Sequence, residues 1–193
     1  MPGNSEEFKG EYRKGPKTHL VRTASRSIAA AKSYAGIKAL LDALPTHQAM
    51  KQKYPKLFLK KGAPNTRVAE ESLNVRVIGW IFHAKREDDE DYHVIVGTKS
   101  SGVDNTFMNV EVSGLPSGGK DSTDLKAVRV QFEGITQRTI SRGRYNDFTP
   151  PIKVRITGSL FFDGDHAPGS IGPNGHKPKT VWEIHPVAKI EAI

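Results

Sequence analysis

A chain of 193 residues has room for one domain with an appendage and is too short for two large cores. Its hydrophobic fraction of 36%, with 18 Gly and 12 Pro, describes a polar, loop-rich globular protein, and the absence of cysteine excludes disulfide scaffolds, thiolate zinc sites and cysteine nucleophiles. The formal net charge of +8 is confined: residues 1–72 hold 14 basic against 6 acidic side chains and residues 73–193 hold 15 against 15, so the later two-thirds lacks the bulk footprint of a strong phosphate binder.

The first 23 residues mix Gly, Pro, Ser, Lys and Arg without apolar periodicity and read as a basic flexible tail. Met1 is followed by Pro2, Gly3 and Asn4 rather than by a basic and then apolar leader, and no run approaches the roughly 18 apolar residues of a membrane span. The expectation is a chain without a membrane span and, by default, a cytoplasmic one. From Ala24 to Leu44 the residues Ile28, Ala31, Ala35, Leu40, Leu41 and Leu44 recur at helical spacing until Pro45, which predicts an amphipathic helix. Thr46 is placed to cap a second helix through Lys53, and Tyr54, Leu57, Phe58 and Leu59 form an apolar knot. Residues 24–65 therefore read as a helical N-terminal segment, whose stretch 24–59 offers an apolar face to its own domain or to oligomerisation.

Beyond residue 65 the period changes to two. Leu73 to Phe82 predicts a first strand with a bend or bulge at Gly79, and the acidic turn Glu87 to Asp91, of which Asp88 to Glu90 read as solvated, leads into a second strand, Tyr92 to Gly97. Thr106 to Val112 supplies a third strand. Leu125, Val128, Phe132 and Ile135 then step by three, four and three, predicting a helix from Asp121, with a strand at Val128 to Phe132 as the alternative. Ile152 to Phe162 and Val181 to Ile190 complete the set, with Trp80 and Trp182 expected in the core. The order strand, strand, strand, helix, strand, strand predicts a mainly β, α+β domain over residues 66–193. It is that of a five-stranded OB-like Greek-key barrel with a helix between strands three and four, a sandwich with an extra helix being the alternative.

Three motifs carry a resemblance: Glu87-Asp-Asp-Glu-Asp-Tyr-His-Val-Ile-Val96, Gly158-Ser-Leu-Phe-Phe-Asp-Gly-Asp-His166 and Trp182-Glu-Ile-His-Pro-Val187. Over about residues 45–193 the chain resembles a largely uncharacterised family of bacterial OB-like proteins, with an acidic turn before Asp-Tyr-His and a last strand reading Glu-Ile-His-Pro-Val or Glu-Leu-His-Pro-Val. It departs from that pattern at Glu90, where the turn more often has Gly. The resemblance implies a fold and a motif set, not a reaction.

In such a barrel the loops between the first two and the last two strands flank the usual ligand cleft. Here alternation places Asp91 with His93 and Glu183 with His185, opposite the apolar faces, while Asp163, Asp165 and His166 open the last loop. These seven are the ligand-binding candidates. Neutral imidazoles and carboxylates also suit a divalent metal, held by His93, Asp163, His166 and His185, that would activate water in a hydrolase. The competing structural role is that each imidazole ties strand ends together through a carboxylate or carbonyl. The 18-residue loop Asp163 to Thr180, with Lys177 and Lys179 near Gly169 and Gly172, has the length of a functional lid and amides suited to an anion. Arg138, Arg142, Arg144 and Tyr145 combine charge and ring as a platform for single-stranded nucleic acid does. The leading expectation is a binding module with a polar cleft between loops 83–93 and 163–180, its ligand single-stranded nucleic acid or another small polar molecule. The alternatives are a metal-assisted hydrolase and an assembly protein organised by the N-terminal helices.

Overall fold

Alternating apolar side chains need a common interior, and in this protein they obtain it by closing a sheet on itself. The computed structural model describes residues 6–22, 27–101 and 104–193. In chain order its elements are α1 (Lys14–Thr18), β1 (Lys32–Ser33), α2 (Ile37–Asp42), α3 (His47–Lys53), β2 (Asn74–Arg86), β3 (Tyr92–Gly97), β4 (Phe107–Val112), α4 (Gly119–Thr136), β5 (Asn146–Phe162) and β6 (Trp182–Ala192). The sheet runs β1-β2-β3-β4-β6-β5, and β5 pairs back onto β2, so the last five strands form a ring. Neighbours are antiparallel except β4 with β6, which run parallel with Asn109 opposite Glu183, and β1 with β2. The fold is mixed α+β, and among the described residues no helix is long and apolar enough to cross a membrane.

One face of the ring is dry. Val75, Val77, Val94, Met108, Val110, Ile156, Leu160 and Ile184 are fully buried there, each removing apolar surface from water at roughly 25 cal/mol per Å². The helical periodicity after Asp121 is realised: Leu125, Val128 and Phe132 of α4 are buried, and the same run forms no strand. The other face of β3, β4 and β6 carries His93, Asn109, Glu111, Glu183 and His185.

Several local expectations change. No single helix spans 24–44: residues 23–26 lie outside the described set, residues 32–33 form β1, and only Ile37–Asp42 is helical. The reason is the open edge of β2, whose Val75 and Arg76 pair with Lys32 and Ser33 and whose Arg76 carbonyl accepts from the Tyr34 amide at 2.9 Å. Thr46 does cap α3, accepting from Ala49 N at 3.2 Å. Ile37, Leu40, Met50 and Leu57 all join the ring's own core, so these four residues pack on their own domain. The irregularity in β2 falls between Ile81 and His83 instead of at Gly79. Gly79 provides room, since a Cβ there would lie 2.6 Å from Val96 Cγ1 and 2.9 Å from Ile37 Cδ1. Trp182 is buried, whereas Trp80 is half-buried under the Lys153 ammonium.

Residues 6–22 are not a flexible tail. Phe8 is buried, its amide donates to Leu115 O at 2.8 Å, and the Lys9 amide donates to Asp89 O at 3.1 Å. Arg13 enters the interior and meets Glu71 in two parallel hydrogen bonds of 2.6 and 2.7 Å, with both side chains 0% exposed. Its remaining donors reach the carbonyls of Pro64, Thr66 and Phe162, while Glu71 also accepts from the amides of Phe162 and Val68. Isolated long-range polar contacts of this kind leave no periodic trace in a sequence. Replacing Arg13 by Ala strands the Glu71 carboxylate in the interior, and the expected loss is about 3–5 kcal/mol in urea unfolding. Arg13→Lys recovers only part of it, because an ammonium cannot make the bidentate pair. A loss below about 1 kcal/mol would show that Glu71 finds water or another partner.

Candidate functional site

Strand register brings together most of the predicted acid and histidine residues. His93 lies opposite Glu111 across β3 and β4, and its Nδ1 is 2.8 Å from Glu111 Oε1. The Asn109 amide donates to Glu111 Oε1 at 2.7 Å and to Glu183 Oε1 at 2.8 Å, bridging two carboxylates. His185 sits between Asp91 and Glu183, 3.4 Å from Asp91 Oδ2 and 3.5 Å from Glu183 Oε2, and Asp91 accepts from Gly114 N at 2.6 Å. Residues 6–22 cover this face: Lys17 stands over the Phe161 ring at 5.7 Å, and its carbonyl accepts from Ser113 Oγ.

Burial sorts these groups by charge. It pushes the His93 imidazole down to about 3 and holds His185 well below the usual histidine value, so both rings are neutral at pH 7. The carboxyls of Asp91, Glu111 and Glu183 are raised, first by burial and then by neighbouring carboxylates, with Asp89 acting on Asp91 and Glu111, and Asp163 on Glu183. Burial disfavours the Lys17 charge, but Asp163, Asp91 and Glu183 outweigh it and hold that ammonium above the ordinary lysine value. The Asp163–His166 pair is different. Asp163 Oδ2 meets His166 Nδ1 at 2.8 Å, which overcomes the burial of Asp163 to lower its carboxyl and lifts His166 to about 9. Asp165 is half-buried and contributes its backbone amide to Asp163 Oδ1.

The cluster is closed to solvent. His93 Nε2, Glu111 Oε2, Glu183 Oε2 and both His185 ring nitrogens lack hydrogen-bond partners among the described residues. Even so, no three or more His, Asp or Glu side chains among those residues are placed to hold a metal ion together.

In the acidic turn Asp88 is exposed as expected, but Glu90 is not. Glu90 is 0% exposed at φ 77°, in the left-handed region that favours glycine. Its carboxylate accepts from Lys9 at 2.6 Å, Arg86 at 2.8 Å and Arg142 at 2.9 Å, and its carbonyl accepts from Arg129. Burial opposes the charge, but these three cations dominate and bring the carboxyl down to about 2. Arg142 is thereby committed to Glu90, and Arg138 lies over the Phe148 ring at 4.8 Å while donating to Asp147 O. Of the arginines in the proposed nucleic-acid platform, Arg144 alone is exposed without such a contact among the described residues. Tyr145 packs edge-on against His83 and His93.

A separate cleft of about 1340 Å³ opens beside this cluster. None of Asp91, His93, Asp163, Asp165, His166, Glu183 or His185 lines it. Its walls come from the end of α2, the β3–β4 loop, the start of β5 and residues 175–180, and they include Phe82, His83, Phe107, Asp147, His176 and Lys177. Within it His83 Nδ1 is 2.7 Å from Asp147 Oδ1, and His83 Nε2 is 2.5 Å from His176 Nδ1. Sequence reasoning missed this trio because its members are 64 and 93 residues apart. Two signals were present: His83 stands at the start of the loop 83–93, and His176 lies in the long Gly/Pro-rich loop. No family model, no curated protein and no solved structure matches the chain.

The histidine assignments are testable by NMR titration. His166 is expected to titrate near 9 and to fall toward the ordinary value in Asp163→Asn, with His93 silent between about pH 5 and 9. Because the folded value of His166 is raised, its stabilisation is complete below the unfolded value of about 6.5 and is lost as pH rises through about 9. An ordinary midpoint for His166 would count against the ion pair.

Proposed function

We propose that this chain is an OB-like binding module whose ligand, a small polar molecule, occupies the cleft between the β3–β4 loop and residues 175–180. The ring order β2-β3-β4-β6-β5 with its return to β2, and α4 between β4 and β5, support the OB-like reading. The cleft itself carries the functional one. It is large enough for a small ligand and combines apolar walls with a few convergent polar groups, the usual make-up of a ligand site.

Charge narrows the choice of ligand. Lys38, Lys177 and Lys179 on the walls are matched by Asp42, Asp104 and Asp147, and two of the three platform arginines are engaged inside the chain. A phosphate backbone draws its affinity from unmatched cations, so this balance favours a small polar ligand over nucleic acid.

The experiment is a ligand-observed NMR screen of neutral sugars, amino acids, nucleosides and short acyl esters, run beside a fluorescent oligo-dT titration. Compounds bound in the cleft should keep their affinity within about twofold between low and moderate salt. Ser101→Trp, which places an indole on the cleft wall, should weaken them about tenfold or more. Tight oligo-dT binding that falls steeply with salt and is lost in Arg144→Glu would favour the nucleic-acid reading instead.

A further inference from the structure

We infer that Asp147, His83 and His176 form a general-base relay in this cleft, in which Nε2 of His176 takes a proton from water during hydrolysis of an acyl ester. The inference rests on the cleft being a ligand site and adds a reaction to it.

With both imidazoles neutral, the hydrogen-bond chain assigns the roles. A carboxylate only accepts, so Asp147 Oδ1 receives the proton on His83 Nδ1. In neutral His83 the other nitrogen, Nε2, is then a lone pair, and it receives the proton on His176 Nδ1. This leaves Nε2 of neutral His176 as a lone pair on a residue that lines the cleft, with no hydrogen-bond partner among the described residues. Carboxylate, orienting imidazole and basic imidazole are thus held in line by contacts of 2.7 and 2.5 Å.

Surrounding groups suit the same task. The His176 ring packs at 5.0 Å from Phe82 and 4.8 Å from Phe107, which fix its plane. Burial and the neighbouring His83 lower its affinity for a proton, against the opposing pull of Asp147, so the ring is in its basic form at neutral pH. The ionisable groups around the relay are Tyr145, edge-on to His83, together with Lys38, Asp42, His47, Asp104, Lys177 and Lys179 on the walls of the same cleft. Leu41, Leu44 and Phe107 give an acyl chain an apolar wall.

The step balances without any other reagent. Nε2 accepts a proton from water, and the freed oxygen lone pair forms a bond to the ester carbonyl carbon while the C=O π pair moves onto oxygen. A proton shift from His176 Nδ1 to His83 Nε2 places the positive charge beside the Asp147 carboxylate. As the oxyanion pair returns, the bond from carbon to the alkoxy oxygen breaks. The departing alkoxide takes a proton back from the relay, and ester plus water have become acid plus alcohol.

The test uses the full chain with p-nitrophenyl acetate and p-nitrophenyl butyrate as probes. Hydrolysis should exceed that of free imidazole at equal concentration, and kcat/KM should rise to a plateau with an apparent midpoint below that of ordinary histidine. His176→Gln should lower kcat/KM about 100-fold or more, and Asp147→Asn about tenfold with a displaced pH profile, while both keep the circular dichroism of the parent. A rate no greater than that of imidazole, or one retained in His176→Gln, overturns the relay. Binding of the amide analogue p-nitrobutyranilide separates the two readings. Binding without ester turnover leaves the cleft as a ligand site and overturns only the relay, whereas neither binding nor turnover counts against both.

Discussion

Two parallel hydrogen bonds join the Arg13 guanidinium to the Glu71 carboxylate in a place from which water is excluded, and the outer face of the sheet depends on that contact. Breaking a buried pair is costly because the remaining charge has nowhere to go. Five further contacts, from Arg13 to three carbonyls and to Glu71 from two amides, fill the remaining positions on both side chains and lock the pair in one geometry. Once Arg13 is fixed, α1 follows, and Lys17 is laid over Phe161 facing Asp91, Asp163 and Glu183. A segment whose composition reads as a tail thus becomes the cover of a polar sheet face.

That cover explains the electrostatic character of the face beneath it. Polar groups removed from water keep their charge only when a partner compensates, and here the compensation is uneven. At the rim, Asp163 and His166 hold each other ionised. Deeper in, His93 and His185 stay neutral, and the carboxyls of Asp91, Glu111 and Glu183 are pushed toward their protonated forms. The open cleft follows another rule: its lysines and aspartates balance, and Asp147 meets His83, which in turn meets His176. One side of the sheet carries a sealed polar cluster, and a neighbouring region carries an accessible one beside a cleft of about 1340 Å³.

Glu90 shows how a local penalty is offset by distant partners. A non-glycine residue in the left-handed region is disfavoured by roughly 1 kcal/mol or more, which is why glycine suits such a turn. Here the carboxylate gathers Lys9 from the N-terminal segment, Arg86 from β2 and Arg142 from the region before β5. The turn therefore ties three separate parts of the chain together, a role glycine could not fill.

Much of the secondary structure was legible in the sequence alone. α4 and the bodies of the five ring strands follow from period-3.6 and period-two apolar patterns, because burial of one face dictates which residues alternate, but the extensions of β2 to Arg86 and of β5 back to Asn146 across Pro150-Pro151 do not. The pairing of His93 with Asp91, and of His185 with Glu183, on a shared face follows from the same rule. Long-range partners were not legible, since a contact between residues 58 or 93 positions apart leaves no periodic mark. Thus the helix expected over 24–44 yielded to the unsatisfied edge of β2, the tail was captured by Glu71, and Glu90 of the acidic turn was buried by three cations while Asp88 stayed in solvent. Composition and alternation determined which residues face inward. Only the tertiary structure decided which polar groups would be sealed and which would meet in the cleft, because desolvation and ion pairing depend on neighbours in space, not in sequence.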